Sequence, residues 1–265
     1  MRVFTLTLDV KIMELKLGIT KTVQENAAYY YDQAKETKKK LKGLEKAIED
    51  TKKEIERAEK EQHAKEKNIK IKKEKKWYEK YHWFFTSQRK LAIGGRSAQQ
   101  NDQLFAKHIE PSDLFFHADI QGGSVFILKE GVAASEDELK EVAQSAASFS
   151  NAWKNGNASV DVYAVKKEQL SKHASSGYVP TGGFAITGER RWFKHTSLGL
   201  QIGIGLDGVE VVPLLSKRVF EKQSLLFPDK SGKEKGVVAK LLAKKWNISV
   251  DEVLTVLPNG KSRLK

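Results

Sequence analysis

Apolar and polar positions alternate at the start of the chain. Val3, Phe4, Leu6 and Leu8 precede a polar break at 9–11, and Ile12, Leu15 and Leu17 follow before Gly18. This pattern predicts a pair of short strands. Two strands alone are marginal in water, so the pair is expected to lean on another element. From Thr22 to Lys80 the period changes, proline is absent and Gly43 is the only glycine. Tyr30, Ala34, Thr37, Leu41, Leu44, Ile48, Thr51, Ile55, Ala58 and Gln62 step by fours and threes, the heptad spacing of a coiled-coil seam. The seam is weak, because Ala34, Thr37, Thr51 and Gln62 bury little area. A projecting helical arm that packs on another helix is expected; a solvated charged helix is the alternative.

Beyond Gln62 the arm turns basic. Residues 65–80 hold eight lysines against Glu66, Glu74 and Glu79, and run into Trp77, Tyr78, Tyr81, Trp83, Phe84 and Phe85. Positive charge beside clustered aromatics suits nucleic-acid contact. Trp77, Tyr81 and Phe84 also recur at helical spacing, which suits core anchors equally well.

A globular part is expected from about Trp83. Gly94-Gly95 marks a turn, and a helix runs from Ser97, a candidate N-cap, to Ile109. Strands follow at 114–120 and 125–129 around the turn Gly122-Gly123. Ser135 to Glu138 reads as a capping box, opening a helix with Leu139, Val142, Ala146, Phe149 and Trp153 on one face. Further strands are expected at 160–165, 184–187, 200–204 and 209–214, with a long Gly-, Ser- and Pro-rich loop over 171–183. A basic helix lies within 231–246, and Ser249 to Glu252 reads as a second capping box. The fold class is α+β: a strand pair at 1–20, a helical arm with a basic end at 21–80, a mixed α/β domain at 81–205, and a C-terminal extension with a basic helix at 206–265.

Composition narrows the function. The 265 residues carry 47 lysines and arginines against 34 acidic residues, a net charge of +13. That excess implies an acidic partner, with nucleic acid the usual one. The absence of cysteine excludes disulfides, thiolate metal sites and cysteine nucleophiles, and fits an intracellular setting. No apolar run approaches the roughly 18 residues of a membrane span. Asp9, Lys11, Glu14 and Lys16 interrupt any apolar stretch at the N-terminus, so a signal peptide is not expected.

Several ordered motifs carry a resemblance. The run Trp77-Tyr78-Glu79-Lys80-Tyr81-His82-Trp83-Phe84 leads to Gly94-Gly95-Arg96 and Gln99-Gln100-Asn101-Asp102. Asp113-Leu114-Phe115-Phe116-His117-Ala118-Asp119, Gly122-Gly123-Ser124 and Gly177-Tyr178-Val179-Pro180-Thr181-Gly182-Gly183-Phe184 follow. This order and spacing resembles the RNA-binding NFACT-R domain of the NFACT family of ribosome quality-control factors, also known in bacteria as fibronectin-binding protein A homologues. The stretch from Asn26 to Thr51 is similar to the family's coiled-coil arm, and the tail Leu257-Pro258-Asn259-Gly260-Lys261 resembles the archaeal and eukaryotic branch. Family members begin with an NFACT-N domain and a helix-hairpin-helix segment, so the resemblance places this chain as a C-terminal half. It implies a cytoplasmic protein that binds large ribosomal subunit RNA and tRNA, without a cofactor, and that pairs with a separate NFACT-N chain if one exists.

The motif residues have their own chemistry. Arg96 after two glycines suits a phosphate fork, or an internal ion pair with a carboxylate such as Asp119. Gln100 and Asn101 can read a nucleotide edge or tie helix to strand. His117 and Asp119 share a strand face, which suits a polar RNA-facing cleft; a metal or acid–base pair is the other reading, but no third ligand or catalytic constellation assembles around them. Ser124, Lys129, Lys172, Arg190 and Arg191 are further candidates for phosphate contact, as are Lys72, Lys73, Lys75 and Lys76 at the basic end of the arm. Trp192 and Phe193 interleave with Arg190, Arg191 and Lys194. The leading expectation is an RNA-binding protein. A nuclease-like enzyme using His117 and Asp119, and a helical-arm scaffold, are the alternatives.

Overall fold

A computed structural model describes the backbone of residues 2–8, 11–68, 76–174, 177–206 and 208–265, and the side chains of 16–56, 76–173, 177–206 and 208–265. Lys72, Lys73 and Lys75 lie outside the described residues. The chain divides into two compact units, 1–74 and 75–265.

In the first unit, β1 (Arg2–Leu8) and β2 (Lys11–Leu17) pair antiparallel in unbroken register from Arg2↔Leu17 to Leu8↔Lys11. The 46-residue helix α1 (Val23–Asn68) follows. Thr22 and Glu25 start it as a reciprocal capping box: the Thr22 N–H donates to Glu25 at 2.7 Å and the Glu25 N–H donates to the Thr22 hydroxyl at 3.3 Å. Tyr30 ties the strand pair to this helix. Its hydroxyl accepts from the Lys16 N–H and donates to the Lys16 carbonyl, both at 2.9 Å. The heptad residues Leu41, Leu44, Ile48 and Ile55 are each between 53% and 61% exposed, so the described part of the seam is solvated.

The second unit is built on two antiparallel sheets. The strands of the first are β3 (His82–Phe85), β4 (Leu91–Gly94), β5 (Leu114–Ala118), β6 (Val125–Leu128), β7 (Ser159–Lys166) and β12 (Arg191–Ser197), in the order β12-β7-β5-β6-β4-β3. Helix α2 (Ala98–Lys107) follows β4, and α3 (Glu136–Ser148) and the short α4 (Asn151–Lys154) precede β7. Between β7 and β12, two small ladders pair β8 (Leu170–Ser171) with β11 (Ala185–Ile186), and β9 (His173–Ala174) with β10 (Gly177–Tyr178). The second sheet orders β13 (Leu200–Gly205), β14 (Gly208–Pro213), β15 (Gln223–Lys233) and β16 (Ser262–Leu264) as β14-β13-β15-β16, with α5 (Lys235–Trp246) and α6 (Val250–Val256) between its last two strands.

Strand alternation splits the first sheet into two buried faces. Phe116, Ala118, Phe126, Leu128 and Ala164 face a core shared with α3, the second sheet, α5 and α6. Phe115, Val125, Ile127, Tyr163 and Val165 face a second core with Leu104 of α2, Ile109, Tyr78 and Tyr81.

Local signals account for many boundaries. Ser97 caps α2, and Ser135 with Glu138 forms the capping box that opens α3. Three expectations change. Residues 77–80 form turns, not helix; Tyr81 and Phe84 are core residues, while Trp77 is 45% exposed and stacks on His108 with ring centroids 4.2 Å apart. The helix expected to reach Trp153 stops at Ser148, because the Ser150 side chain accepts from the Ala152 N–H and recaps α4. Strand β13, placed by its sequence at the end of the domain 81–205, instead lies inside the second sheet between β14 and β15, whose strands bury Leu200, Ile202, Val212 and Leu226 in the shared core. Among the described residues no helix is long and apolar enough to cross a membrane.

Candidate nucleic-acid interface

The glycine-arginine turn after β4 works inward. The Arg96 N–H donates to Gln100 Oε1 at 3.0 Å, and Arg96 Nη2 donates to the Tyr81 carbonyl at 2.8 Å. Gln100 Nε2 reaches the Lys80 carbonyl at 3.3 Å. Asn101 is buried beneath Gly95, where a Cβ would collide with its Oδ1. Arg96 and Gln100 thus bind the start of α2 to the segment that enters β3, while Asn101 packs against Gly95 after β4. Arg96 takes a backbone carbonyl rather than the Asp119 carboxylate, because Tyr81 lies across the sheet edge from it and Asp119 lies at the end of β5. Burial lowers the Arg96 pKa from its ordinary value.

Three further candidates are also committed to the fold. The buried Ser124 hydroxyl donates to the Gly95 carbonyl at 2.8 Å. Lys129 Nζ donates to the His108 carbonyl at 2.9 Å, to Glu110 at 2.9 Å and to Asp113 at 2.6 Å, which engages all three of its protons. Burial opposes the Lys129 charge, but Asp113 and Glu110 outweigh it and raise its pKa. Lys172 pairs with Asp102, donates to the Gly183 carbonyl at 2.7 Å and lies 4.2 Å from the centre of the Phe184 ring. It pins the loop 172–184 onto α2. Ser124, Lys129 and Lys172 are therefore structural locks, because a cation or hydroxyl that is desolvated must find its partners inside. Lys76 is exposed, with its ammonium 5.9 Å from the Tyr78 ring centre.

His117, Asp119 and Arg190 lie toward the other edge of the first sheet. His117 on β5 is registered with Tyr163 on β7, and Tyr163 with Trp192 on β12. The three rings form a row across three strands, with centroids 5.7 Å and 5.5 Å apart. Cations interleave with it. The Arg190 guanidinium sits 4.7 Å from the Tyr163 ring centre and 5.9 Å from that of Trp192, and Lys194 Nζ sits 4.0 Å over Trp192. Asp161 steadies the end of β12, accepting from Lys194 Nζ at 2.8 Å and from the His195 N–H at 2.7 Å; these bonds hold its pKa below the usual carboxylate range. Arg191, on the opposite face, pairs with Glu136. Gly123 makes room for the row, since a Cβ there would lie 2.9 Å from the His117 ring. Burial lowers the His117 pKa, with the Asp119 charge acting the other way, and burial raises that of Tyr163. Both rings are therefore neutral near pH 7. Asp119 itself is exposed beside them. Among the described residues no group of three or more His, Cys, Asp or Glu could hold a metal ion.

Residues 80–188 match the family model of the NFACT protein RNA binding domain. The chain is also 42% identical over 201 residues to the archaeal Rqc2 homolog aRqcH of Methanocaldococcus jannaschii, a match covering 72% of this chain and 30% of that protein. Residues 80–188 belong to the NFACT RNA-binding domain family. Ribosome quality control complex subunit NEMF of Homo sapiens is 31% identical over 180 residues, covering 65% of this chain and 16% of its own length. The chain spans less than a third of the length of these two relatives. Among solved structures, the C-terminal part of the fibronectin/fibrinogen-binding protein from Streptococcus suis is 21% identical, with a TM-score of 0.39, covering 66% of this chain and 76% of that one.

Tyr163 carries no sequence signal of its place in the row. It lies alone in an apolar strand, and only the pairing of β7 with both β5 and β12 brings it between His117 and Trp192. The alternation Arg190, Trp192, Lys194 is visible in the sequence; the surface it joins is not.

Proposed function

We propose that this chain acts in ribosome quality control as an RNA-binding part that docks on the large ribosomal subunit and on the peptidyl-tRNA of a stalled nascent chain. The observation that carries the reading is the match of 80–188 to an RNA-binding domain, in a chain whose net charge is +13. The names of the relatives support it: the human and archaeal proteins are, respectively, a ribosome quality control complex subunit and an Rqc2 homolog. Such docking is driven mainly by phosphate contacts and released counterions, so affinity falls steeply with salt. Arg190, Arg191 and the exposed Lys194 supply cations that the fold does not bury.

Co-sedimentation of the full chain with isolated large ribosomal subunits across a salt series tests this. Saturable binding is expected, weakening steeply with salt and several-fold in Arg190→Ala/Arg191→Ala. Unsaturable binding, or binding insensitive to both salt and the double substitution, sinks the reading.

A further inference from the structure

From the row His117–Tyr163–Trp192 and its cations, we infer that the open edge of the first sheet is a stacking platform for the bases of unpaired RNA. The inference rests on the RNA-binding reading above and adds which state of RNA is bound, and where.

Trp192 is 38% exposed although it is a large aromatic on a sheet surface. Tyr163 and His117 lie beneath and beside it, with neutral rings. They are support, because Tyr163 is itself only 7% exposed. The outward surfaces are the Trp192 ring and the Arg190 plane, which Tyr163 backs at 4.7 Å. The exposed Arg190 guanidinium is seated over an aromatic ring, and aromatic and guanidinium planes are the surfaces on which splayed-out bases stack. Arg190 and Trp192 are two residues apart, about 7 Å along an extended chain, enough for two neighbouring unstacked bases. Bases inside an A-form duplex are not accessible to such a surface.

The edge strand is also unsuited to the obvious competitor, a peptide adding as a further strand. A register shift between Phe193 and Thr196 interrupts β12, and His195 sits there at φ 51°. Bulges of this kind blunt an edge against strand addition. Here the bulge also lets Asp161 take both the His195 N–H and the Lys194 ammonium, which places Lys194 over Trp192. The negative groups nearby are Asp161, paired with Lys194, and Asp119 at the His117 end. The phosphates therefore run along the Arg190 and Lys194 side.

Three probes of one length and labelling separate the terms: single-stranded RNA, the same backbone without bases, and a duplex. The full chain is expected to bind the base-bearing strand about ten-fold more tightly than the abasic one. Trp192→Ala is expected to abolish that preference, and Trp192→Phe to restore most of it. Arg190→Lys is expected to reduce the preference while leaving the salt dependence in place. Thermal melts confirm that the variants are folded. If RNA binds but the abasic and base-bearing strands bind alike, or Trp192→Ala leaves the preference intact, the platform is wrong and the RNA-binding reading stands. If none of the three probes binds at low salt, both fall.

Discussion

A buried carboxylate persists in a fold only where donors surround it. Asp113 is fully buried, and accepts from the Glu110 N–H at 2.8 Å, the Glu130 N–H at 2.9 Å and Lys129 Nζ at 2.6 Å. It closes the loop before β5 and neutralises the half-buried Lys129. Removing one partner of such a pair leaves the other desolvated and uncompensated. Asp113→Ala is therefore expected to destabilise the protein by about 3 kcal/mol, with a smaller loss for Lys129→Met, whose stem continues to pack. Urea unfolding of both variants measures this. Equal effects, or a loss within error of zero for Asp113→Ala, would show that Lys129 finds solvent instead. The same logic explains why the chemical type of a side chain does not reveal what it does. Lys129, Lys172 and Arg190 are all cations on motif-bearing segments, but neighbours remote in sequence engage the first two and leave Arg190 facing outward.

At the scale of elements, Glu138 joins two of them. As part of the capping box it bonds the Ser135 N–H at 3.0 Å, and across the sheet it accepts from the Thr86 hydroxyl at 2.6 Å and Lys90 at 3.2 Å. Helix α3 is thereby fastened to the turn between β3 and β4. Burial works against the Glu138 charge, but the bonds from Thr86, Ser135 and Lys90 outweigh it, and its pKa lies below the ordinary carboxylate value. A depressed folded-state pKa contributes stability that is full above the unfolded value and is lost as pH falls through the folded one. Glu141 beside it has a pKa raised by burial and contributes in the opposite sense. Glu138→Gln is expected to be less stable at neutral pH by about 2 kcal/mol, and to lose less stability on acidification below the carboxylate range than the natural chain does. Parallel stability–pH curves for the two would rule out this linkage.

At the scale of the whole molecule, the RNA-binding segment does not own its core. One face of its sheet shares a core with α3, with Leu200, Ile202, Val211, Val212 and Leu226 of the second sheet, and with Leu242 and Trp246 of α5. The buried Trp153 indole N–H donates to the Ser262 hydroxyl at 3.1 Å, joining α4 to the last strand. A chain ending at residue 205 keeps all of 80–188 but loses Val211, Val212, Leu226, Leu242 and Trp246 from the shared core. It is expected to lose native packing, with dye binding to exposed apolar surface and a collapsed near-UV circular dichroism signal. A cooperative melt with native near-UV signal would overturn this.

Hydrophobic period, caps and turns are local properties, so the sequence alone determined the long helix, the starts of α2 and α3, and the class α+β. The ordered motifs likewise brought the family within reach by themselves. Pairing is not local. The register His117↔Tyr163↔Trp192 joins residues far apart in the chain, and nothing near Tyr163 signals it. The assignment of β13 to the second sheet depended on which strands could share a core, a choice that β-propensity does not encode. The division between inward and outward cations followed the same rule. Charge is written in the sequence, but desolvation and partners come only with tertiary structure.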